Sequence, residues 1–255
     1  MQPYNHPSAK LRYLVALSIG MCYSLFTASA QSDDFGLDLQ LEAQKKLTKK
    51  WSMSLGGELR TRDNTKTVDR WSVGVGADYK VTKWLKASAG YDLLIDNRDK
   101  STYKSNGDLN KIAEFWGVRH RLNAALTASQ KLGDFKVSLR ERWQYTYRPE
   151  KTIERYDVDD EDYESKTYNG KAKHVLRSRL QVEYGVPKSN LSPYAHVEFY
   201  NAWALEKTRY TVGMDYDLSK KHSMGLFYRY QAVRNDDDND EPNIHLIGFT
   251  YKFKF

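Results

Sequence analysis

Cysteine is nearly missing from this chain: Cys22 is the only one among 255 residues. It lies in an N-terminal segment that reads as removable, so the remainder carries no thiol and no disulfide, although an oxidising compartment would permit them. Proline is sparse as well, with six in all. Those beyond residue 30, Pro149, Pro187, Pro193 and Pro242, fall at expected turns, loops or strand starts, where no ladder hydrogen bond is lost. Long apolar runs are missing too. After residue 30 nothing approaches the ~18 consecutive apolar residues of a membrane helix, and mean hydropathy is −0.75. A helical membrane protein is thereby excluded. Cations form neither a tail nor a helical stripe. Formal charge is +7, or +5 without Lys10 and Arg12, and the basic residues alternate along the chain, which argues against nucleic-acid binding.

Aromatic residues are abundant instead: 19 Tyr, 9 Phe and 6 Trp make 13% of a very polar chain. A barrel accommodates this composition, because apolar residues need occupy only alternate positions and aromatics gather at both membrane interfaces. The last residues alternate strictly. Phe249, Tyr251, Phe253 and Phe255 are separated by Thr250, Lys252 and Lys254, which predicts a strand with one apolar face. An aromatic strand at this position resembles the C-terminal assembly signal of bacterial outer-membrane β-barrels. The resemblance implies recognition by the barrel assembly machinery and contact with outer-membrane lipid and lipopolysaccharide.

The N-terminus agrees. Lys10 and Arg12 precede an apolar run from Leu14 to Phe26, and Ala28-Ser29-Ala30 offers a cleavage site before Gln31. Residues 1–30 are expected to be a cleaved secretory signal peptide and residues 31–255 a single barrel domain. Met21 before Cys22 fits a lipoprotein cleavage site poorly.

Between these ends the chain repeats one unit: alternating strand, tight polar turn, alternating strand. Short turns are expected near residues 44–51, 78–84, 130–135, 184–188 and 215–222. Longer polar connections are expected near 61–69, 97–114, 148–172, 201–207 and 233–243. Short turns on one side and long loops on the other predict periplasmic turns and extracellular loops. Eleven strands can be counted, at about 35–47, 51–60, 70–81, 84–95, 115–131, 135–147, 173–184, 192–200, 208–218, 223–232 and 244–255. Bacterial barrels have even strand numbers, so the expectation is an antiparallel up-and-down transmembrane barrel of 10–12 strands, with ten or twelve preferred. Trp51 and Trp84 mark the turn-side girdle; Trp71, Trp116, Trp143 and Trp203 mark the loop side.

Asp34-Phe35-Gly36-Leu37 through Trp51 to Arg60-Thr61-Arg62-Asp63 is one distinctive element, and Arg140 through Tyr147-Arg148-Pro149-Glu150 is another. With Arg209-Tyr210-Thr211 and the Tyr-Lys-Phe-Lys-Phe end, they resemble an uncharacterised family of Bacteroides-type outer-membrane barrels, a domain of unknown function. The resemblance spans the mature chain. It implies fold and location, and brings no catalytic residues.

Parity directs Arg60, Arg70, Arg119, Arg121, Arg140, Arg142, Arg177, Arg179, Arg209 and Arg229 into the lumen. Three neighbouring strands carry Arg-x-Arg pairs (119/121, 140/142, 177/179), which are expected to form one basic wall, since residues facing each other on adjacent strands lie ~5 Å apart. Glu42, Glu58, Asp78, Asp92, Glu183, Glu198 and Asp215 also point inward. Two readings follow. One is a narrow passive channel whose arginines select small anionic or polar solutes. The other is a salt-bridged lumen filling a non-conducting structural or docking protein.

No cofactor or metal site is expected. The acidic stretches Asp157–Asp162 and Asp236–Glu241 suit oxygen-liganded divalent ions, but the EF-hand pattern fails at Glu241 and Ile247, which leaves solvated loops. His196-x-Glu198 lacks a third ligand. Glu141, His174 and Ser178 share the outward face and contain the elements of a lipid-modifying triad. His174 and Ser178, however, stand ~13 Å apart along one strand, and a bulge turning Glu141 inward is the simpler expectation. The chain is not expected to be an enzyme.

Overall fold

The structure, a computed structural model, describes residues 33–234 and 243–255. The expected signal peptide with Cys22 and the acidic stretch Asp236–Glu241 lie outside the described residues. Eleven strands close into a barrel: β1 (Asp34–Lys46), β2 (Trp51–Arg62), β3 (Thr67–Lys80), β4 (Leu85–Asp99), β7 (Glu114–Leu132), β8 (Phe135–Arg148), β11 (Lys171–Tyr184), β12 (Leu191–Ala202), β13 (Ala204–Asp217), β14 (His222–Val233) and β15 (Ile244–Lys254). Each neighbours its predecessor and successor around the wall. Four further strands, β5 (Thr102–Tyr103), β6 (Leu109–Ile112), β9 (Lys151–Asp157) and β10 (Asp162–Tyr168), form a separate sheet in the order β10-β9-β6-β5.

Strand number corrects the preference for ten or twelve. Eleven up-and-down strands leave the first and last running the same way, so the closing seam has to be parallel. It is: β1 pairs with β15 from Asp34↔Ile244 to Gln44↔Lys254. The other ten barrel seams are antiparallel. Backbone bonds from Asp34 to Asn243 (2.9 Å) and from Phe255 to Gln44 (2.9 Å) tie the seam at its two ends, and Lys252 reaches Glu42 at 3.0 Å across it.

Alternation sorts the residues onto two faces. Outward positions carry exposed apolar side chains around the wall, such as Leu41, Leu55, Val75, Leu126, Leu180 and Met214. Apolar side chains left exposed in a continuous belt need hydrocarbon around them, and the fold is that of a transmembrane β-barrel. Ring pairs decorate the turn side of the belt: Trp51–Tyr79 at 4.8 Å and Phe135–Tyr184 at 4.9 Å. The terminal aromatics belong to the same rim. Phe249, Tyr251 and Phe253 face outward with Phe255, whose ring stacks on Phe253 at 5.4 Å. His222 bonds the Tyr251 hydroxyl at 2.6 Å beside them.

The connections differ from expectation on the loop side. Around 61–69 the chain turns tightly, with Asp63, Asn64 and Thr65 all at positive φ. Asp34 holds this turn by accepting bonds from the Asp63 and Asn64 amides at 3.0 and 3.1 Å. The expected loop at 201–207 is a single residue, Trp203, fully exposed at φ 69. The stretches 97–114 and 148–172 are long but fold into the four-stranded sheet, joined where Lys111 and Ile112 pair with Asp157 and Tyr156. In that sheet Lys111 binds Asp157 at 2.7 Å and also Glu164, and Lys104 binds Asp159. The acidic turn is therefore engaged with lysines. These bonds, the largest cause for each group, hold the Asp157 and Glu164 carboxyls below the usual range and push Lys111 up.

Candidate functional site in the barrel lumen

Two rows of inward residues, each following the hydrogen-bonding direction from strand to strand, run around the wall of the lumen. The first runs Gly213, Phe227, Gly248, Asp38, Arg60, Arg70, Asp96 and Gly117 across β13, β14, β15, β1, β2, β3, β4 and β7. Its glycines are there for space. A Cβ on Gly248 would lie 1.9 Å from the Phe227 ring, and one on Gly213 would lie 2.8 Å from Phe227 Cβ. The ring thus lies flat against the wall. Its charges pair: Asp96 binds both Arg70 and Arg119, and Asp38 takes Arg229 at 2.8 Å. Arg60 stands opposite Arg70, an unfavourable like-charge pairing. A bulge beyond Arg60 leaves Asp69 without a partner in the register, and Asp69 binds Arg60.

The second row runs Arg140, Arg179, Glu198, Arg209 and Gln231 over β8, β11, β12, β13 and β14. Glu198 is shared by Arg140 at 2.5 Å and Arg177 at 2.8 Å, and accepts from the Tyr200 hydroxyl at 3.1 Å. Arg177 also donates to Gln144 at 3.0 Å. Arg177 and Arg209 lie over the Tyr200 ring, 4.4 and 4.9 Å from its centre. Asp38, Asp96, Gln144, Glu198, Tyr200, Phe227, Gln231 and Leu246 are all buried. Together these residues form a packed, ion-paired septum within the lumen.

Below it lies a cavity of about 1210 Å³ that reaches the turn-side residues Lys50, Thr82 and Lys83. Small side chains give it room: Ser54, Gly56, Ser72, Gly74, Gly76 and Ser88 line one side. Arg140, Arg142 and Arg179 close its inner end, with Glu58 beside them.

The ten arginines all project inward, but the expected single wall of three pairs is not formed. Arg177 stands opposite Arg142 and Arg179 opposite Arg140, making one block of four. Arg121 stands opposite Thr146, whereas Arg142 stands opposite Ala125. The β7–β8 register therefore offsets Arg121 from Arg142 by four residues, ~13 Å along the strand, and Arg119, further still, joins Asp96 instead. Within the block, Arg142 and Arg179 make no ion pair among the described residues, and both Nε atoms are buried without an acceptor.

Residues 35–241 match the model of a family described as a protein of unknown function (DUF2490). The chain belongs to this family. Solved structures of two other proteins have a similar fold. The beta domain of the Bordetella autotransporter BrkA is 14% identical at a TM-score of 0.52, with 79% of each chain covered. The translocator domain of the autotransporter NalP from Neisseria meningitidis is 10% identical at 0.53, covering 88% of this chain and 92% of that one. Such identities carry fold alone, an outer-membrane β-barrel fold. No curated protein matches this chain in sequence.

Other expected sites separate in space. Glu141 does not turn inward: β8 pairs with β7 and β11 without a bulge, and Ser178, directly opposite, donates a 2.6 Å hydrogen bond to it on the outer wall. That bond removes the need for the bulge. His174 lies opposite Tyr145 and stacks against Trp143 and Tyr145 at 5.7 and 4.9 Å, so the three do not converge as a triad. His196 faces the lumen and stacks on Tyr194 at 6.0 Å. No cluster of three metal-ligating side chains occurs among the described residues. Sequence reasoning missed Gln144, Tyr200 and Gln231, which are ordinary polar residues until the register places them beside arginines.

Proposed function

We propose that this protein resides in the bacterial outer membrane and takes small anionic solutes into its lumen from the turn side, releasing them across the membrane only when the septum parts. One observation carries this reading: Arg142 and Arg179 end an open cavity and make no ion pair among the described residues, while their neighbours Arg140 and Arg177 share Glu198. Guanidinium groups held against one another in a low-dielectric wall attract anions strongly. The apolar outer wall supports contact with membrane lipid, and the outward aromatic residues Phe249, Tyr251, Phe253 and Phe255 support recognition by the assembly machinery. The test is conductance in planar bilayers. Brief openings that prefer anions are expected, and replacing Arg142 and Arg179 together by Gln should move the reversal potential towards cations. The shift should shrink with salt, since the Debye length falls from ~10 Å at 0.1 M to ~3 Å at 1 M.

The septum favours a second reading, a non-conducting structural or docking barrel. Silent bilayers, together with unchanged anion binding in the double variant, would select it.

A further inference from the structure

On the loop side of the septum is a second cavity, about 300 Å³, bounded by the barrel rim and the base of the four-stranded sheet. Its volume is at the lower end of small-molecule pockets. Arg98 leaves β4 two residues beyond Asp96, and Arg148 ends β8; both line this space. The Nε atoms of both are buried without an acceptor. Among the described residues Arg148 reaches only the Asn169 carbonyl, at 3.5 Å. Arg98 lies flat against the wall because Gly117 faces it: a Cβ there would be 3.1 Å from Arg98 Nε. The one carboxylate at the site, Glu150, is exposed and makes no ion pair among the described residues. Two half-buried guanidinium groups, each with a buried and unpaired Nε, thus face the cavity, and an anion bound there would complete them.

Beside Arg98 the wall is flat and apolar, because Phe115 is its direct neighbour across the β4–β7 pairing. Phe115 and Tyr168 stack there, with centroids 5.3 Å apart. Lys151 Nζ lies 5.6 Å from the centre of the Phe115 ring while donating to the Trp116 carbonyl. A ligand that satisfies both the arginines and the rings beside them needs a planar anionic group for the guanidinium forks and a flat apolar body for the rings.

We infer that the cavity between Arg98 and Arg148 binds a small aromatic carboxylate arriving from the loop side. The carboxylate would accept from both guanidinium groups, and its ring would lie against Phe115 and Tyr168. This site is separate from the turn-side cavity and does not depend on the septum opening.

Calorimetric titration of the detergent-solubilised barrel with benzoate tests it, with inorganic phosphate and cyclohexanecarboxylate as comparison probes. Benzoate should bind more tightly than either. Arg98→Gln and Arg148→Gln should each weaken benzoate at least tenfold, whereas Phe115→Leu should weaken benzoate and leave phosphate unchanged. Lys220→Gln, on an exposed turn at the far end of the barrel, should leave benzoate affinity intact. Folding of each variant is read from its unheated gel mobility, and Phe115→Leu alone decides the matter if an arginine variant misfolds. Phosphate binding as tightly as benzoate, or benzoate lost only in the Arg142/Arg179 variant, would overturn the assignment.

Discussion

Arg179 stands directly opposite Arg140 across the β8–β11 seam, and of the two only Arg140 reaches Glu198. The pair divides one basic block into arginines tied to Glu198 and arginines that make no ion pair among the described residues.

That division predicts opposite responses to two neutralising substitutions. Glu198→Gln leaves Arg140 and Arg177 buried without a counter-charge and should cost about 3–5 kcal/mol. Arg179→Gln removes a like charge from beside Arg140 and should change stability by less than ~1 kcal/mol, in the favourable direction. Urea unfolding in liposomes, read by tryptophan emission, checks both. Equal destabilisation by the two would contradict the division.

Gly248→Ala should be destabilising by about 1–3 kcal/mol, because the added methyl meets the Phe227 ring. Shortening the ring side chain in the double variant Gly248→Ala/Phe227→Leu should restore at least half of that loss. Additive losses would mean that the two residues do not share the space.

On the outer wall, Ser178→Ala should cost about 1–3 kcal/mol by stripping Glu141 of its donor in a medium without water. Replacing both, Ser178→Ala with Glu141→Leu, should return stability to the native level or above it. A double variant weaker than Ser178→Ala would show that the carboxylate has a second attachment.

The four-stranded sheet should depend on pH. The carboxyl pKa values of Asp157 and Glu164 are lowered in the folded sheet. Their contribution is therefore complete above the ordinary carboxylate value, ~4, and is lost as pH falls through the lowered values. Lys111 is raised, so its contribution holds below ~10.4 and is lost as pH rises through the raised value. Proteolytic nicking between residues 148 and 172 should stay slow between those limits and accelerate on the acid side. In Lys111→Gln nicking should already be fast at neutral pH.

Much of this architecture could be read from alternation alone. Parity sent all ten arginines inward and His174 and Ser178 outward, because a strand offers only two faces. Parity says nothing about which residues stand side by side, and the site depended on that. The offset of Arg121 from Arg142 is a property of the β7–β8 register, set by a two-residue turn at Gly133-Asp134 and by how far each strand extends. Glu141 was misread because a carboxylate on an outer wall looked like a parity error. Its partner Ser178 lies 37 positions away and comes opposite only through the same kind of register. The sheet of β5, β6, β9 and β10 was invisible for a different reason: its strands are short, polar and without an apolar face.

The parallel β1–β15 seam also constrains how this chain could be rewired. In a barrel with an even number of strands the first and last form an antiparallel pair, and a short turn can join them into a circle. Here β1 starts at the loop end of the seam and β15 finishes at the turn end. The seam is eleven residue pairs long, about 35 Å of strand at ~3.3 Å per residue. A circular permutant would therefore have to carry its new linker from one side of the membrane to the other, through lipid or through the lumen. Every antiparallel seam of this wall could be cut and rejoined by a hairpin; this one could not.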